Sequence, residues 1–452
     1  MRESKPLIFT PQEQQSFRDE INSARVEGAH RPGQWSVSPL NRDPAVAGVM
    51  PARIRLRDIT LRAIEALPGV MLSSDAKAAY LRLLVQAHVP EIVTAGARGR
   101  AVPDLAADVE LIKGEDEATR VTCPLIFTAA DLPGPAQAGY DAVQIWVPPW
   151  GRASCLYEGR VHATAWQGGD WHTLGLPEDR AGFVARAADL TKRARDLGLE
   201  VTAPLLMVSF LSLDGLLETC AELVAAGVNE IALFDGPGAM SPEALGHMVA
   251  VTKQHFPDVL VGVHPHNTFG LSVAAAVAAA RAGADCIEVS VNGYCGGPGN
   301  ADLAAATAAF EAVYGVRTGI RHELLKSLSR AGEELTGYRI AYNHPITGDR
   351  VYNWGGMDFM TQEIAVDPLL HNAISPDWSG SIVGIPITEV SGPFTMWDKL
   401  AELGFDPDRA TVERTLKAVM AEFRRRGRLL TDEEIRDIAS GVAAAPAGQA
   451  GR

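Results

Sequence analysis

The stretch "VLVGVHPHNTFGLSVAAAVAAARAGADCIEVSVNG" (Val259–Gly293) reads as strand, helix and strand in immediate succession. A β-branched run ends at His264 and His266, an Ala-rich helical segment follows, and a second apolar run starts at Asp285. Two strands joined through a helix make a βαβ unit, which requires a parallel sheet. On a strand, residues i and i+2 share a face, so the two imidazoles point the same way and can converge on one metal ion. The bland alternative is a pair of rim histidines satisfied by backbone groups.

The same rhythm extends outward in both directions. Further strand-like runs are "ARIRLRDIT" (52–60), "VPEIVTAG" (89–96), "VTCPLIFTA" (121–129), "DAVQIWVP" (141–148), "EVTAPLLMVS" (200–209) and "EIALFDGPG" (230–238). Helical segments such as "SDAKAAYLRLLVQA" (74–87) and "DGLLETCAELVAAG" (214–227) separate them. Eight such strands over about 250 residues suit a closed (β/α)8 TIM barrel, an α/β fold. An open doubly wound sheet is the competitor, but no G-x-G-x-x-G follows the first strand. In the barrel, His264 and His266 lie at the C-terminal mouth. Asn300, at the end of "VNGYCGGPGN", stands on the adjacent strand–loop unit, and two imidazoles with an amide oxygen form a partial site for a divalent cation.

A net charge of −14 argues against non-specific nucleic-acid or anionic-membrane binding, leaving small metabolites as the expected partners. No apolar run is long enough to span a bilayer, and the start lacks a secretory core. Cys123, Cys155, Cys220, Cys286 and Cys295 are odd in number and dispersed, the pattern of reduced thiols in a cytoplasm.

Outside the barrel, expected at 51–320, residues 1–50 form an arm with one short helix at 11–25. Residues 321–442 form a helical subdomain, and 443–452 a disordered tail. Helices are expected at 322–335, 395–404, 408–427 and 431–442, and the third carries an apolar stripe of Val412, Leu416, Val419, Met420 and Phe423. The long connection 149–180, with Trp150, His162, Trp166, Trp171 and His172, reads either as a lid over the mouth or as a surface excursion pinned by its tryptophans.

"HPHNTFG", "AGADCIEVSVNGYCGGPGNADL" and "YGVRTGI" (314–320) resemble the DRE-TIM metallolyase superfamily. That superfamily includes 2-isopropylmalate and homocitrate synthases, hydroxymethylglutaryl-CoA lyase and 4-hydroxy-2-oxovalerate aldolase. "DITLRAIEALPGVMLSSDAK" (58–77) is similar to its first-strand motif, and "YNHPITGDRVYNWGGMDF" to the synthase linker after the barrel. "PLLMVSFLSLDGLLE" and "DGPGAMSPEAL" resemble the aldolase branch.

The resemblance implies an arginine at Arg62 that steadies a 2-oxo acid or enolate oxygen, and a metal (Mg²⁺, Mn²⁺ or Zn²⁺) on His264, His266 and Asn300. The family's aspartate ligand, however, falls on Ala63. Three readings follow: Glu65 or Asp58 supplies the carboxylate; the histidines and substrate oxygens hold the ion; or the metal is lost. Glu65 falls on an acidic position of the synthase motif and is the candidate general base, with a salt-bridged structural role beside Arg62 or Arg57 as its alternative. Ala66 replaces its amide or acid partner. Asp235 is placed to orient substrate hydroxyls, although capping the next helix is the commoner use. Tyr352, Asp358 or His344 stands in for a histidine missing from "NWGGMDF", with Tyr352 the candidate substrate contact. Cys295 is similar to a cysteine in the lyase branch's Gly-rich loop, but the spacing differs and a buried thiol is expected.

The expected activity is therefore Claisen-type condensation of an acyl-CoA with a 2-oxo acid. The alternatives are a metal-assisted aldolase or lyase acting on a hydroxy-oxo acid, and a metal-free, non-catalytic relative. The resemblance also implies a homodimer.

Overall fold

The computed structural model describes residues 9–65, 67–97, 99–148, 179–354 and 356–444. Eight parallel strands close into a barrel in sequence order. They are β1 (Arg55–Asp58), β2 (Glu91–Val93), β3 (Arg120–Ile126), β4 (Ala142–Ile145), β5 (Glu200–Leu205), β6 (Glu230–Asp235), β7 (Leu260–Pro265) and β8 (Cys286–Val289). Pairing of Cys286 with Arg55 and Ile287 with Leu56 shuts the cylinder. All eight predicted runs are strands of this TIM barrel. The expected lid or excursion at 149–180 falls almost wholly outside the described residues.

Local chemistry sets the helices between the strands. Ser73, Ser212, Ser241 and Asp302 each accept a backbone N–H from the first turn of a following helix, the usual N-cap arrangement. The Ala-rich helix Ser272–Arg281 buries Ala275, Ala276, Ala279 and Ala280. Small side chains bring it close to helix Pro242–His255, where a Cβ on Gly246 would lie 3.2 Å from the Ala278 carbonyl oxygen.

The barrel interior carries ions where Val, Ile and Leu usually dominate. Arg57, fully buried, pairs with Glu91 at 2.8 Å, Glu230 at 2.7 Å and Glu288 at 3.3 Å. Arg55 pairs with Glu91 at 3.2 Å, and Thr122 donates to Glu91 at 2.7 Å. Glycine at 262 makes room for this network, since a Cβ there would stand 2.5 Å from Glu230 Oε1. Buried pairs of this kind add little net stability, but removing one partner costs about 3–5 kcal/mol.

By contacts the chain parts into two compact units. Among the described residues, one comprises those within 40–341 with 345–347, and the other those within 9–39, 342–344 and 348–444. Helix Leu325–Thr336 thus belongs to the barrel unit, where it packs on Ser74–Gln86. Of the expected arm, the described residues 9–39 group with the C-terminal unit. There, helix Pro11–Ala24 starts on a Thr10–Glu13 capping box, Arg18 donates to the Val366 carbonyl, and Trp35 meets Trp378 edge-on. That unit's core joins Met396, Leu400, Val412, Val419, Phe423 and Ile435, with Leu416 and Met420 packed against it, so the predicted stripe faces inward. Among the described residues no helix is long and apolar enough to cross a membrane.

Candidate metal centre and active site

His264 is the penultimate residue of β7 with its ring buried, and His266 follows just past the strand, their ring centroids 5.0 Å apart. The i, i+2 expectation for the two rings is met. Phe234 of β6 lies directly beside His264 in register and stacks on it at 4.4 Å, fixing the plane of the imidazole. The next strand supplies Glu288, whose Oε2 lies 3.0 Å from His264 Nδ1. Its Oε1 accepts from Gln144 at 2.7 Å and from Arg57 at 3.3 Å.

Burial pushes the Glu288 carboxyl up, but the His264 hydrogen bond and charge, with Arg62 and Arg57, outweigh it and hold the group at about 2. An ionised acceptor keeps a proton on His264 Nδ1, so that whenever the ring is neutral its lone pair lies on Nε2. That arrangement of carboxylate and imidazole typically stands behind a metal-bound histidine.

The exposed side of this pair meets the Gly-rich turn after β8. Cys295 Sγ lies 3.7 Å from His266 Nε2, and donor atoms of His264, His266 and Cys295 all fall within 4.8 Å of one another. Burial raises the thiol, yet hydrogen bonds from both imidazoles bring it well below its ordinary value. His264 in turn is lowered by burial and raised further by its bonds to Cys295 and Glu288, for a net rise. Cys295 is half-buried and stands beside the histidine pair, where the sequence led us to expect an ordinary buried thiol.

Asn300 bridges to His266 in antiparallel fashion. Its Oδ1 accepts from the Ser290 hydroxyl, while its Nδ2, in a residue only 1% exposed, has no hydrogen-bond partner. His266 Nδ1 is likewise buried without one.

Arg62, on the short helix Thr60–Ile64 after β1, is 6% exposed. Its guanidinium lies over the Trp146 ring at 5.2 Å and the Phe234 ring at 5.7 Å, and Nη2 stands 3.6 Å from Glu288 Oε2. Nε and Nη2 make no hydrogen bond. A buried cation with unused donors, next to the histidine pair, is built to receive an anionic oxygen.

The remaining candidates divide. Glu65 is paired with neither Arg62 nor Arg57; it accepts from Gly96 N–H at 3.3 Å. Burial raises its carboxyl to about 7 against the Gly96 bond and Arg100, Arg62 and Lys77. Asp58 commits both oxygens to Thr60, whose hydroxyl also receives Val291 N–H, and burial holds it at about 7. Asp235 accepts from Ala239 and Met240 N–H at 3.0 and 2.9 Å, bracing the loop before Pro242–His255.

In the C-terminal unit, the Tyr352 hydroxyl meets Ser379 inside the core, and Asp358 accepts from Gly392, Phe394 and Thr395 at a helix start. Both have structural partners. Ala66 lies outside the described residues.

Sequence reasoning missed Glu288, Gln144 and Phe234. A carboxylate within the apolar "CIEV" run was the available signal, since a buried acid must be paired.

The HMGL-like family model matches residues 171–331. The chain is 30% identical over 298 residues to the 2-phosphonomethylmalate synthase of Streptomyces rubellomurinus, covering 66% of this chain and 74% of that protein. It belongs to the DRE-TIM metallolyase superfamily. The homocitrate synthase AksA of Methanopyrus kandleri is 27% identical over 414 residues, spanning 90% of this chain and 96% of that one. Among solved structures, the HMG-CoA lyase of Bacillus subtilis superposes with a TM-score of 0.54 at 16% identity, covering 64% of this chain and 96% of that one; this shared fold is the barrel. DRE-TIM enzymes use a divalent metal, and the donors gathered here fit one: two imidazoles with orphaned or carboxylate-fixed ring nitrogens and a thiol in reach.

Proposed function

We propose that the protein condenses an acyl-CoA with a 2-oxo acid to give a 2-hydroxy-2-alkyl diacid and free CoA. The observation that carries this reading is Arg62, a buried guanidinium whose Nε and Nη2 make no hydrogen bond, held by two aromatic faces and ion-paired to Glu288 behind His264. A planar cation of this kind grips the carboxylate or the developing alkoxide of a 2-oxo acid. When bound, a divalent ion on His264 and His266 polarises the 2-oxo carbonyl.

A base removes a proton from the acyl carbon next to the thioester, and the resulting enolate attacks the keto carbon. Arg62 neutralises the new alkoxide, which takes up a proton, and hydrolysis of the thioester releases the thiol of CoA. Glu65 is the base this reading favours, because a carboxyl titrating at about 7 both accepts and returns protons near neutral pH. The synthase relatives support the condensing direction.

A thiol-release assay with acetyl-CoA and a panel of 2-oxo acids tests the proposal, with Arg62→Ala as control. Thiol release dependent on one 2-oxo acid, and lost in the variant, is expected. Silence across the panel, with pyruvate released from hydroxy-oxo acids, would replace condensation with aldol cleavage. A homodimer in a reducing cytoplasm completes the reading. The unpaired Cys123, Cys220, Cys286 and Cys295 fit the reducing compartment; the dimer rests on the family resemblance alone, and sedimentation velocity tests it.

A further inference from the structure

We propose that Cys295 is the anionic ligand of this metal centre, completing a His264–His266–Cys295 donor set in place of the carboxylate missing at Ala63, and that the centre takes a borderline ion such as Zn²⁺ in preference to Mg²⁺. The assignment rests on the metal-assisted reading above but not on the identity of the substrates.

The first support is geometric. Tetrahedral zinc with Zn–S near 2.3 Å and Zn–N near 2.05 Å places sulfur and nitrogen about 3.6 Å apart. Cys295 Sγ and His266 Nε2 are 3.7 Å apart, and the third donor lies within the same 4.8 Å cluster.

The second is complementarity at one spot. Ala63, 3% exposed, packs with Ile59 and Val93, and Cys295 is the side chain lying against that group. The thiol therefore occupies ground next to the position where an aspartate would have projected.

The third is elimination. Asp58 is held by Thr60, Glu65 by Gly96, and Glu288 by His264, Gln144 and Arg57. Among the described residues, no carboxylate joins the two histidines within ligating range, and the thiol does.

Glu288 behind His264 is the outer carboxylate such a site needs. Three protein ligands leave a fourth position open for a substrate oxygen, the pattern of catalytic zinc. A thiolate with two imidazoles favours Zn²⁺ or Co²⁺, whereas Mg²⁺ demands near-octahedral oxygen. On binding, the Cys295 proton leaves to solvent and the Sγ–metal bond forms without change of oxidation state.

The test uses full-length protein stripped by chelator. Titration with Co²⁺ is expected to give a thiolate-to-cobalt charge-transfer band in the near ultraviolet. Cys295→Ser should abolish that band and weaken Zn²⁺ binding by at least about tenfold, since even outer-shell changes cost that much.

Should the variant fail to fold, the wild-type chain decides by itself. Zn²⁺ should protect Cys295 from alkylation, read by mass spectrometry, while equimolar Mg²⁺ should not. Buried Cys123, Cys220 and Cys286 serve as internal references. Cobalt bound without a sulfur band, or Cys295 alkylated at the same rate with and without Zn²⁺, overturns the assignment. A sulfur band in a protein silent toward every 2-oxo acid would uphold it while removing the condensation reading.

Discussion

Replacing Glu288 with glutamine keeps the shape of the side chain and removes its charge, at the point where the barrel's ion network meets the histidine pair. In the native protein Oε2 faces His264 Nδ1 while Oε1 receives Gln144 and Arg57. The amide offers one oxygen only, so whichever way it turns, its NH2 confronts at least one donor.

The magnitude follows from the carboxyl's position at about 2 instead of its ordinary 4.5. That difference corresponds to about 3 kcal/mol of stability for the ionised native form. Because the folded value is depressed, this contribution is fully present above about pH 4.5 and disappears as pH falls through about 2. Arg57 keeps Glu91 and Glu230, so the loss stays at the lower end of the roughly 3–5 kcal/mol seen for broken buried pairs.

Glu288→Gln is therefore expected to lose about 3 kcal/mol at pH 7. At about 2 °C per kcal/mol for a unit of this size, that is about 6 °C in melting temperature. The gap to wild type should narrow to about 2 kcal/mol near pH 3.5, and Zn²⁺ affinity should fall by about 10- to 100-fold. Urea denaturation followed by circular dichroism across that pH range reads the stability, and competition with a chromophoric chelator reads the metal. A gap below about 1 kcal/mol at pH 7, or one independent of pH, would refute the account of Glu288 as an ionised brace for His264.

Arg62→Lys keeps the charge but loses the planar fork between Trp146 and Phe234. A fall in kcat/KM of about 10²–10³ with little change in melting is expected, and full activity would contradict the oxyanion role. Gly262→Ala drives a methyl against Glu230 Oε1 and should destabilise by about 1–3 kcal/mol, measured by urea midpoint. Asp235→Ala frees the Ala239 and Met240 N–H groups and should cost about 1–3 kcal/mol while leaving the KM for the 2-oxo acid unchanged. A raised KM with unaltered stability would restore Asp235 to substrate binding.

The primary sequence was sufficient for the barrel, because alternating β-branched and Ala-rich segments repeat eight times and each is a local property of a short window. Periodicity likewise placed His264 and His266 on one face, and the stripe Val412–Phe423 turned inward as its spacing required. What the chain order left open was which polar groups meet. Glu288 and His264 are 24 residues apart, and Arg57 and Glu230 are 173 apart; only closure of the cylinder brings them into contact, and only contact decides which carboxylates are already engaged. Asp58 and Asp235 look as eligible as any acid in one dimension, yet backbone N–H groups claim Asp235 and Thr60 claims Asp58. Cys295, eligible for nothing by spacing, comes to rest against the Ile59–Ala63–Val93 cluster and His266 only in the folded barrel. Chain periodicity is a near-neighbour signal and survives reading in sequence, whereas the donor set of the site is a property of packing between distant strands.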